Sequence, residues 1–193
     1  FDDIQLENIG GSNTPPTITS GATASLDENA ITNTVVYTAT ATDAESNAIS
    51  YSLSGTDASS FSINSSTGVV RKLTSANYEA KNSYSITVVA SDGTASSTKA
   101  VTVSINDVNE APVFSSGTTG TVAENAATST VVYTAAATDP EGVAVIYALA
   151  GTDASAFTIN SSTGALTLNA SANYEAKTSY SLNVLASDGA NTA

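Results

Sequence analysis

The chain has no cysteine, so no disulfide framework supports its fold, and it also lacks histidine, methionine and tryptophan. Without histidine, cysteine or a glycine-rich phosphate loop, the residues that usually carry nucleophilic or phosphoryl-transfer chemistry are missing. Paired carboxylates can hydrolyse glycosides, but the acids of this sequence follow a different pattern, described below. We therefore predict that the chain is not an enzyme.

Basic residues are scarce. Lysine and arginine total five against eighteen aspartates and glutamates, which gives a formal net charge of −13. Binding to DNA, RNA or anionic membranes needs clusters of basic side chains, so we exclude nucleic acid as a partner. No apolar run is long enough to span a membrane. The chain starts at Phe1 without a signal peptide, and we interpret it as a processed product or an excerpt of a longer protein.

An internal repeat sets the domain organisation. Adding 96 to a residue number in the first unit gives its counterpart in the second, without a gap. Residues 75–81 (SANYEAK) recur as 171–177, and Pro16 recurs as Pro112. Each unit is the size of a domain, so we predict tandem domains rather than solenoid turns. The predicted bounds are 15–111 and 112–193, preceded at 1–14 by a strand and a glycine-rich linker.

Hydrophobic residues make up 41% of the chain and fall in runs that alternate with polar residues, as in half-buried strands. In the first unit these runs are 35–39, 49–53, 61–63, 69–73, 84–88 and 101–105, after a broken first strand at 17–19 and 24–26. An Asn-Ser-Ser-Thr-Gly turn ends at Gly68, where we expect a positive φ. About seven short strands per unit predict an all-β fold of two tandem Greek-key β-sandwiches.

The stretch between the two units, residues 106–112, reads Asn-Asp-Val-Asn-Glu-Ala-Pro. Pro112 fixes φ and has no N–H, so this linker is predicted to be stiff and extended. Two carboxylates about 4 Å apart repel by roughly 4 kcal/mol at an effective dielectric constant of about 20. Calcium removes such repulsion, because it binds about 6–8 oxygens from carboxylates, amides and backbone carbonyls.

Most other acids occupy equivalent turn or strand-end positions in the two units. They are Glu28, Asp43, Glu45, Glu79 and Asp92 in the first, and Glu124, Asp139, Glu141, Glu175 and Asp188 in the second. With the linker, this pattern resembles the cadherin repeat over residues 17–193. The lack of cysteine and the abundance of alanine, serine and threonine resemble the cadherin-like repeats of large bacterial surface adhesins.

The resemblance implies up to three calcium ions between consecutive repeats. The implied ligands are Glu28, Glu79, Asn109, Glu110 and the Val108 carbonyl, together with Asp139, Glu141 and Asp188. Asp107 either joins this set or only caps the preceding strand. Two departures from the family pattern, Asn77 in place of an acid and Glu141 in place of an aspartate, affect the outermost ion.

At the other end of the first unit, Thr14 stands where the linker has Glu110, so calcium there is expected to be weaker or absent. The predicted function is a calcium-rigidified adhesive or structural module of a secreted or cell-surface protein or filament, of bacterial type. The alternative is a calcium-dependent carbohydrate-binding module, although no tryptophan supplies an aromatic platform.

The second unit stops at Ala193, before a counterpart of residues 99–106, which are predicted to form the last strand of the first unit. Residues 1–9 read as a strand with no partner in their own chain. Two explanations stay open. Either the chain is an excerpt of a longer array, or residues 1–9 of one copy complete the second unit of the next, head to tail.

Overall fold

The computed structural model describes residues 12–193, which divide into two compact units, one ending at Val108 and the other spanning Asn109–Ala193. From here on these units are called repeat 1 and repeat 2. The strand predicted at residues 1–9 lies outside the described residues. Within the described part of the chain, no helix is long and apolar enough to cross a lipid bilayer.

Repeat 1 is built from short strands. They are β1 (Thr17–Ile18), β2 (Thr23–Asp27), β3 (Val35–Thr38), β4 (Ala41–Thr42), β5 (Ser50–Ser54), β6 (Phe61–Ile63), β7 (Val69–Lys72), β8 (Ser83–Ser91) and β9 (Ser96–Asn106). The main sheet has the order β2-β9-β8-β5, and a second sheet has the order β3-β7-β6. The broken first strand predicted from the sequence is explained by this topology, because β1 pairs with β4 while β2 joins the main sheet.

Strand β9 lies between two partners in the main sheet. Residues Ser83 to Ser91 of β8 pair with it antiparallel, and Thr23 to Asp27 of β2 pair with it parallel. Its side chains alternate between core and solvent, so that Val101, Val103 and Ile105 are only 1%, 0% and 3% exposed. Full burial of each such side chain contributes about 1.5–3 kcal/mol relative to exposing it. Ile86 and Val88 of β8 face the same core.

Repeat 2 follows the same order with fewer paired residues. Its strands are β10 (Val113–Phe114), β11 (Val131–Thr134), β12 (Ala137–Thr138), β13 (Ile146–Ala150), β14 (Phe157–Ile159), β15 (Ala165–Leu168) and β16 (Asn183–Ser187). One sheet has the order β11-β15-β14, while β13 pairs with β16. Its buried apolar residues form two smaller clusters, one around Phe157 and Leu166 and the other around Tyr147 and Ala186.

The predicted all-β fold of tandem sandwiches is confirmed. The runs that alternate in the sequence are strands in the structure, with ends shifted by at most three residues, except that β9 begins at Ser96, five residues before the predicted start. The parallel pairing of β2 with β9 departs from the antiparallel pairing that the predicted Greek-key sandwich implies. Helical structure within residues 12–193 is limited to two 3-10 turns at Ala58–Ser60 and Ala154–Ala156.

Each 3-10 turn is held to the following part of its repeat by the aspartate before it. The Asp57 carboxylate lies 2.5 Å from the Lys81 amine and accepts the Ser85 amide at 2.8 Å. The Lys81 amine and the Ser85 amide hold the pKa of Asp57 below its usual value. Asp153 repeats the arrangement with Lys177 and with the Ser181 amide. These two acids are therefore neutralised within their own repeats.

The hairpin turn between β6 and β7 requires glycine. Gly68 has a φ of 69°, and a Cβ atom on it would lie 2.2 Å from the Ala39 carbonyl oxygen. That oxygen belongs to backbone and has little freedom to move. The Asn64 side chain closes the turn by accepting the Ser66 and Thr67 amides at 3.0 and 2.9 Å. The positive φ predicted for Gly68 is confirmed.

We expect Gly68→Ala to destabilise repeat 1 by about 2–3 kcal/mol, because it combines backbone strain with a backbone clash. Differential scanning calorimetry is expected to show the transition of repeat 1 at a lower temperature. Gly21→Ala is the matched control, since a Cβ there meets nothing within 4 Å. If both variants unfold like the parent chain, the close approach of residue 68 to the Ala39 carbonyl is refuted.

Candidate metal centre

Glu28 is a buried acid at the end of β2 in repeat 1. Its side chain is 3% exposed and accepts two backbone hydrogen bonds, from the Tyr78 amide at 2.8 Å and from the Val108 amide at 2.9 Å. Those amides belong to a distant loop and to the linker. The carboxylate therefore ties the linker, directly after β9, to the body of repeat 1.

The hydrogen bonds to Glu28 decide its charge. The Tyr78 amide is the largest influence and lowers the pKa of Glu28, and the Val108 amide adds to it, while burial acts in the opposite direction. The net pKa lies below the usual value, so Glu28 is ionised at neutral pH.

Two more acids lie beside this buried charge. Carboxylate oxygens of Glu28, Glu79 and Asp107 lie within 4.8 Å of one another. Carboxylates at this spacing repel each other when no cation screens them. A cation beside Glu79 and Asp107, the two exposed members of the group, would reduce this repulsion. Asp107 was predicted either to join the ligands or only to cap the preceding strand. In the structure it lies beside Glu28 and Glu79, two of the predicted ligands of repeat 1.

The asparagine after Glu28 and its counterpart after Glu124 in repeat 2 have the same left-handed backbone conformation. Asn29 follows Glu28, and Asn125 follows Glu124, and both have a φ of 57°. Asparagine tolerates this left-handed conformation better than most residues. In repeat 1, Asn29 therefore forms the turn that directly follows the candidate ligand Glu28.

At the start of repeat 2, the second half of the linker forms hydrogen bonds with two acids from different turns, Asp188 and Glu141. The Asn109 side chain donates to the Asp188 carboxylate at 2.7 Å, and the Glu110 amide donates to the Glu141 carboxylate at 3.3 Å. Asn191 donates its side-chain amide to the Asn109 carbonyl at 2.9 Å. The Asn109 side chain, followed by the Asn191 amide, holds the pKa of Asp188 below its usual value.

Two acid oxygens of repeat 2 stand out, because they are buried and have no hydrogen-bond partner. They are Asp139 Oδ2 and Glu141 Oε1. The other oxygen of Asp139 accepts the Val143 amide at 3.0 Å, so the side chain is fixed while Oδ2 is left unmatched. A buried carboxylate oxygen without a donor is costly. Oxygen atoms in this state fit a hard cation such as calcium.

Repeat 1 carries the same arrangement at its own start, with one exchange. The Asn13 side chain donates to the Asp92 carboxylate at 2.9 Å, and Asp43 Oδ2 is buried without a partner. The Thr14 amide donates to Glu45 at 3.1 Å, as the Glu110 amide does to Glu141, but the Thr14 hydroxyl adds a further bond at 2.7 Å. A hydroxyl donor thus stands where the linker has a carboxylate.

The predicted site residues therefore fall into two groups that the structure describes separately. Glu28, Glu79, Asp107 and Val108 meet at one end of repeat 1, and Asn109, Glu110, Asp139, Glu141 and Asp188 line one end of repeat 2. Asn77, which replaces an acid of the family pattern, instead caps a turn by accepting the Ala80 amide at 2.6 Å.

Asn191 is not among the site residues that the sequence predicts. Its counterpart in repeat 1 is Ala95, so the internal repeat gives no signal for it. Its position three residues after Asp188, in the turn that this aspartate closes, is the one feature that points to it.

The family of this chain is shown by comparison with known proteins. The cadherin domain model matches residues 22–106 and 118–193. Mouse Protocadherin Fat 4 is 36% identical over 134 residues, which cover 65% of this chain and 3% of that protein. Mouse Cadherin EGF LAG seven-pass G-type receptor 2 is 34% identical over 175 residues, covering 86% of this chain and 6% of that protein. The chain belongs to the cadherin family and spans only a small part of these relatives.

Solved structures agree on the fold. Repeats EC1-2 of human Protocadherin-24 superpose with a TM-score of 0.69 at 24% identity, over 90% of this chain and 87% of that one. Repeats EC22-24 of mouse Cadherin-23 give a TM-score of 0.59 at 27% identity, over 91% and 59% of the two chains. The predicted cadherin-like tandem repeats are thus confirmed, whereas the bacterial adhesin type is not, since the relatives named here are animal proteins.

In excess chelator, we expect Glu28→Ala to destabilise repeat 1 by about 2–3 kcal/mol, because the Tyr78 and Val108 amides lose a buried, charged acceptor. Since folding lowers the pKa of Glu28, its contribution is present above the ordinary carboxyl pKa. This contribution to stability is lost as the pH falls through the lowered pKa that Glu28 has in the folded state. Urea unfolding of parent and variant at pH 7 and at about pH 3 measures both effects.

Glu124→Ala is the matched control, because Glu124 holds the equivalent place in repeat 2 but is exposed. Its substitution is expected to change stability by less than about 0.5 kcal/mol. A stability loss in Glu28→Ala that is no larger than in the control would contradict the structural role of Glu28.

Proposed function

We propose that this chain is a calcium-binding, adhesive or structural repeat module of an extracellular protein. The observation that carries the proposal is the pair of buried, unpartnered oxygens, Asp139 Oδ2 and Glu141 Oε1, at the end of repeat 2 that the linker enters. Membership of the cadherin family fits a module that acts by connecting other parts of a protein.

The proposed ligands come from both repeats and from the linker that joins them. Glu28, Glu79, Asp107 and the Val108 carbonyl are the proposed contribution of repeat 1. Asn109, Glu110, Asp139, Glu141 and Asp188 are the proposed contribution of repeat 2. The two sets are covalently joined at the bond between Val108 and Asn109, and we propose that they share up to three ions. At the start of repeat 1, the Thr14 hydroxyl already satisfies Glu45, so a weaker site is proposed there.

Asp139→Asn is expected to weaken calcium binding at least about tenfold, or ~1.4 kcal/mol. The substitution keeps an acceptor for the Val143 amide and removes only the charge that faces the ion. Isothermal titration with calcium chloride measures the change. Asp153→Asn is the matched control, because Lys177 and the Ser181 amide already neutralise that acid. Equal affinities in the two variants would mean that the ion does not bind at Asp139.

The proposed role of calcium is mechanical. Bound ions remove the repulsion among clustered acids and link two folded bodies through a short connector. We expect excess EDTA to broaden the interatomic distance distribution in small-angle X-ray scattering, while far-UV circular dichroism keeps its strand signal. Scattering curves that are the same with calcium and with EDTA would exclude this role, whatever the titration shows.

A calcium-dependent carbohydrate-binding module is the second candidate. Tyr174 is an aromatic side chain that is 65% exposed, and such residues stack on sugars in many lectins. However, its counterpart Tyr78 packs against the core of repeat 1. We therefore favour the adhesive or structural role, and a glycan array with and without calcium separates the two. The bacterial setting stays a proposal that rests on composition alone.

A further inference from the structure

The chain contains two Asp-Gly pairs and no Asn-Gly pair. The first, residues 92–93, begins the loop that joins β8 to β9, and the second, residues 188–189, directly follows β16. Each pair comes after a serine, Ser91 or Ser187, that is the last residue of its strand. Because the sequence Ala-Ser-Asp-Gly occurs once in each repeat, the two loops are independent examples of one local structure.

An Asp-Gly pair is able to rearrange covalently, and the reaction needs only the two residues and water. The glycine nitrogen forms a bond to the aspartate Cγ, while the OH of the protonated carboxyl group leaves as water together with the amide hydrogen. The product is a five-membered imide, which water then opens at either carbonyl. Opening at the backbone carbonyl gives isoaspartate, in which the main chain runs through the aspartate side chain and is one methylene longer.

The surroundings of the two glycines do not prevent this reaction. Gly93 and Gly189 are exposed to water, and a Cβ atom built on either of them meets nothing within 4 Å. Glycine also brings no side chain of its own that would hinder ring closure. The rate of the reaction therefore depends on how the loop holds the attacking nitrogen and the carboxyl group.

The attacking nitrogen is held by the hydroxyl of the serine two residues earlier. The Gly93 N–H donates to Ser91 Oγ at 3.1 Å, and this hydroxyl in turn donates to the Ala95 carbonyl at 3.0 Å. In repeat 2, the Gly189 N–H donates to Ser187 Oγ, also at 3.1 Å, and this hydroxyl donates to a carbonyl of its own loop at 2.8 Å. The hydrogen bond to serine occupies the amide hydrogen that ring closure has to remove.

The carboxyl group is held by a separate set of hydrogen bonds. Asp92 Oδ1 accepts the Thr94 and Ala95 amides, both at 2.7 Å, and Asp92 Oδ2 accepts the Asn13 side chain at 2.9 Å. These bonds orient the carboxyl group, and the nitrogen of Gly93 takes no part in them. The serine hydroxyl and the carboxyl contacts can therefore be tested independently of each other.

We propose that Asp92 and Asp188 are sites of spontaneous isoaspartate formation, and that the hydroxyls of Ser91 and Ser187 slow this reaction by holding the N–H of the following glycine. Ring closure breaks the hydrogen bond to the serine, so this bond adds to the barrier. Loss of one such bond is expected to raise the rate about twofold to tenfold. The inference rests on the two loops alone and does not depend on a bound ion.

Prolonged incubation of the whole chain at neutral pH, in excess EDTA, tests the proposal. Isoaspartate is measured at each position by peptide mapping with an isoaspartate methyltransferase assay, because the rearrangement leaves the mass unchanged. In Ser91→Ala, isoaspartate at Asp92 is expected to form about two to ten times faster than in the parent chain. Asp188 in the same molecule is expected to keep the parent rate. Ser187→Ala is expected to show the reverse pattern.

Two further variants of the loop in repeat 1 separate the serine hydroxyl from a general loosening. Ser91→Thr keeps a hydroxyl at the same position, and Thr94→Val removes a hydroxyl from an exposed side chain of the same loop. Both are expected to form isoaspartate at the parent rate. Hydrogen exchange of the Gly93 amide is expected to be faster in Ser91→Ala, whereas exchange of the Thr94 and Ala95 amides, which bind Asp92, is expected to stay unchanged.

The inference is overturned if Ser91→Ala forms isoaspartate at Asp92 no faster than the parent chain. It is also overturned if Asp92 and Asp188 both react faster in this variant, since a general loosening rather than a local hydrogen bond would then set the rate. A rate in Ser91→Thr as high as in Ser91→Ala would refute the role of the hydroxyl. Because EDTA is present throughout, each of these outcomes is independent of the calcium proposal.

Discussion

The backbone pairing of β9 with its two neighbours is the interaction on which repeat 1 depends. This one strand supplies the hydrogen-bond partners of β2 and of β8, and it brings three buried aliphatic side chains to the core. It also ends at the linker, where the Val108 amide binds Glu28. The core packing of repeat 1, the order of its main sheet and the contact between Glu28 and the linker therefore all depend on β9.

In both repeats, hydrogen bonds from backbone and side-chain groups fix the positions of the acidic side chains. Glu28 and Asp188 each accept hydrogen bonds that lower the pKa, so both stay charged at neutral pH. Asp139 is held through one oxygen while the other has no partner. Such carboxylates are preorganised, so the proposed binding of a cation would cost little further ordering of side chains.

Much of this arrangement was predictable from the sequence because it depends on local patterns. Alternation predicted the strands, and the offset of 96 residues predicted the tandem repeats. The parallel pairing of β2 with β9 was not predictable, since alternation does not encode the direction of a partner strand. The role of Asn191 was not predictable either, because it depends on a contact with the Asn109 carbonyl across the fold.

The similarity of β8 to residues 179–187, which are identical at six of nine positions, has a consequence for folding kinetics. During folding, β9 meets two stretches of similar sequence that both match its pattern. Pairing with β8 closes a loop of four residues, 92–95, whereas pairing with 179–187 closes one of 72 residues, 107–178. Chain entropy alone favours the short loop by about 2.5 kcal/mol. The tight hairpin between β8 and β9 therefore disfavours pairing of β9 with repeat 2 during folding.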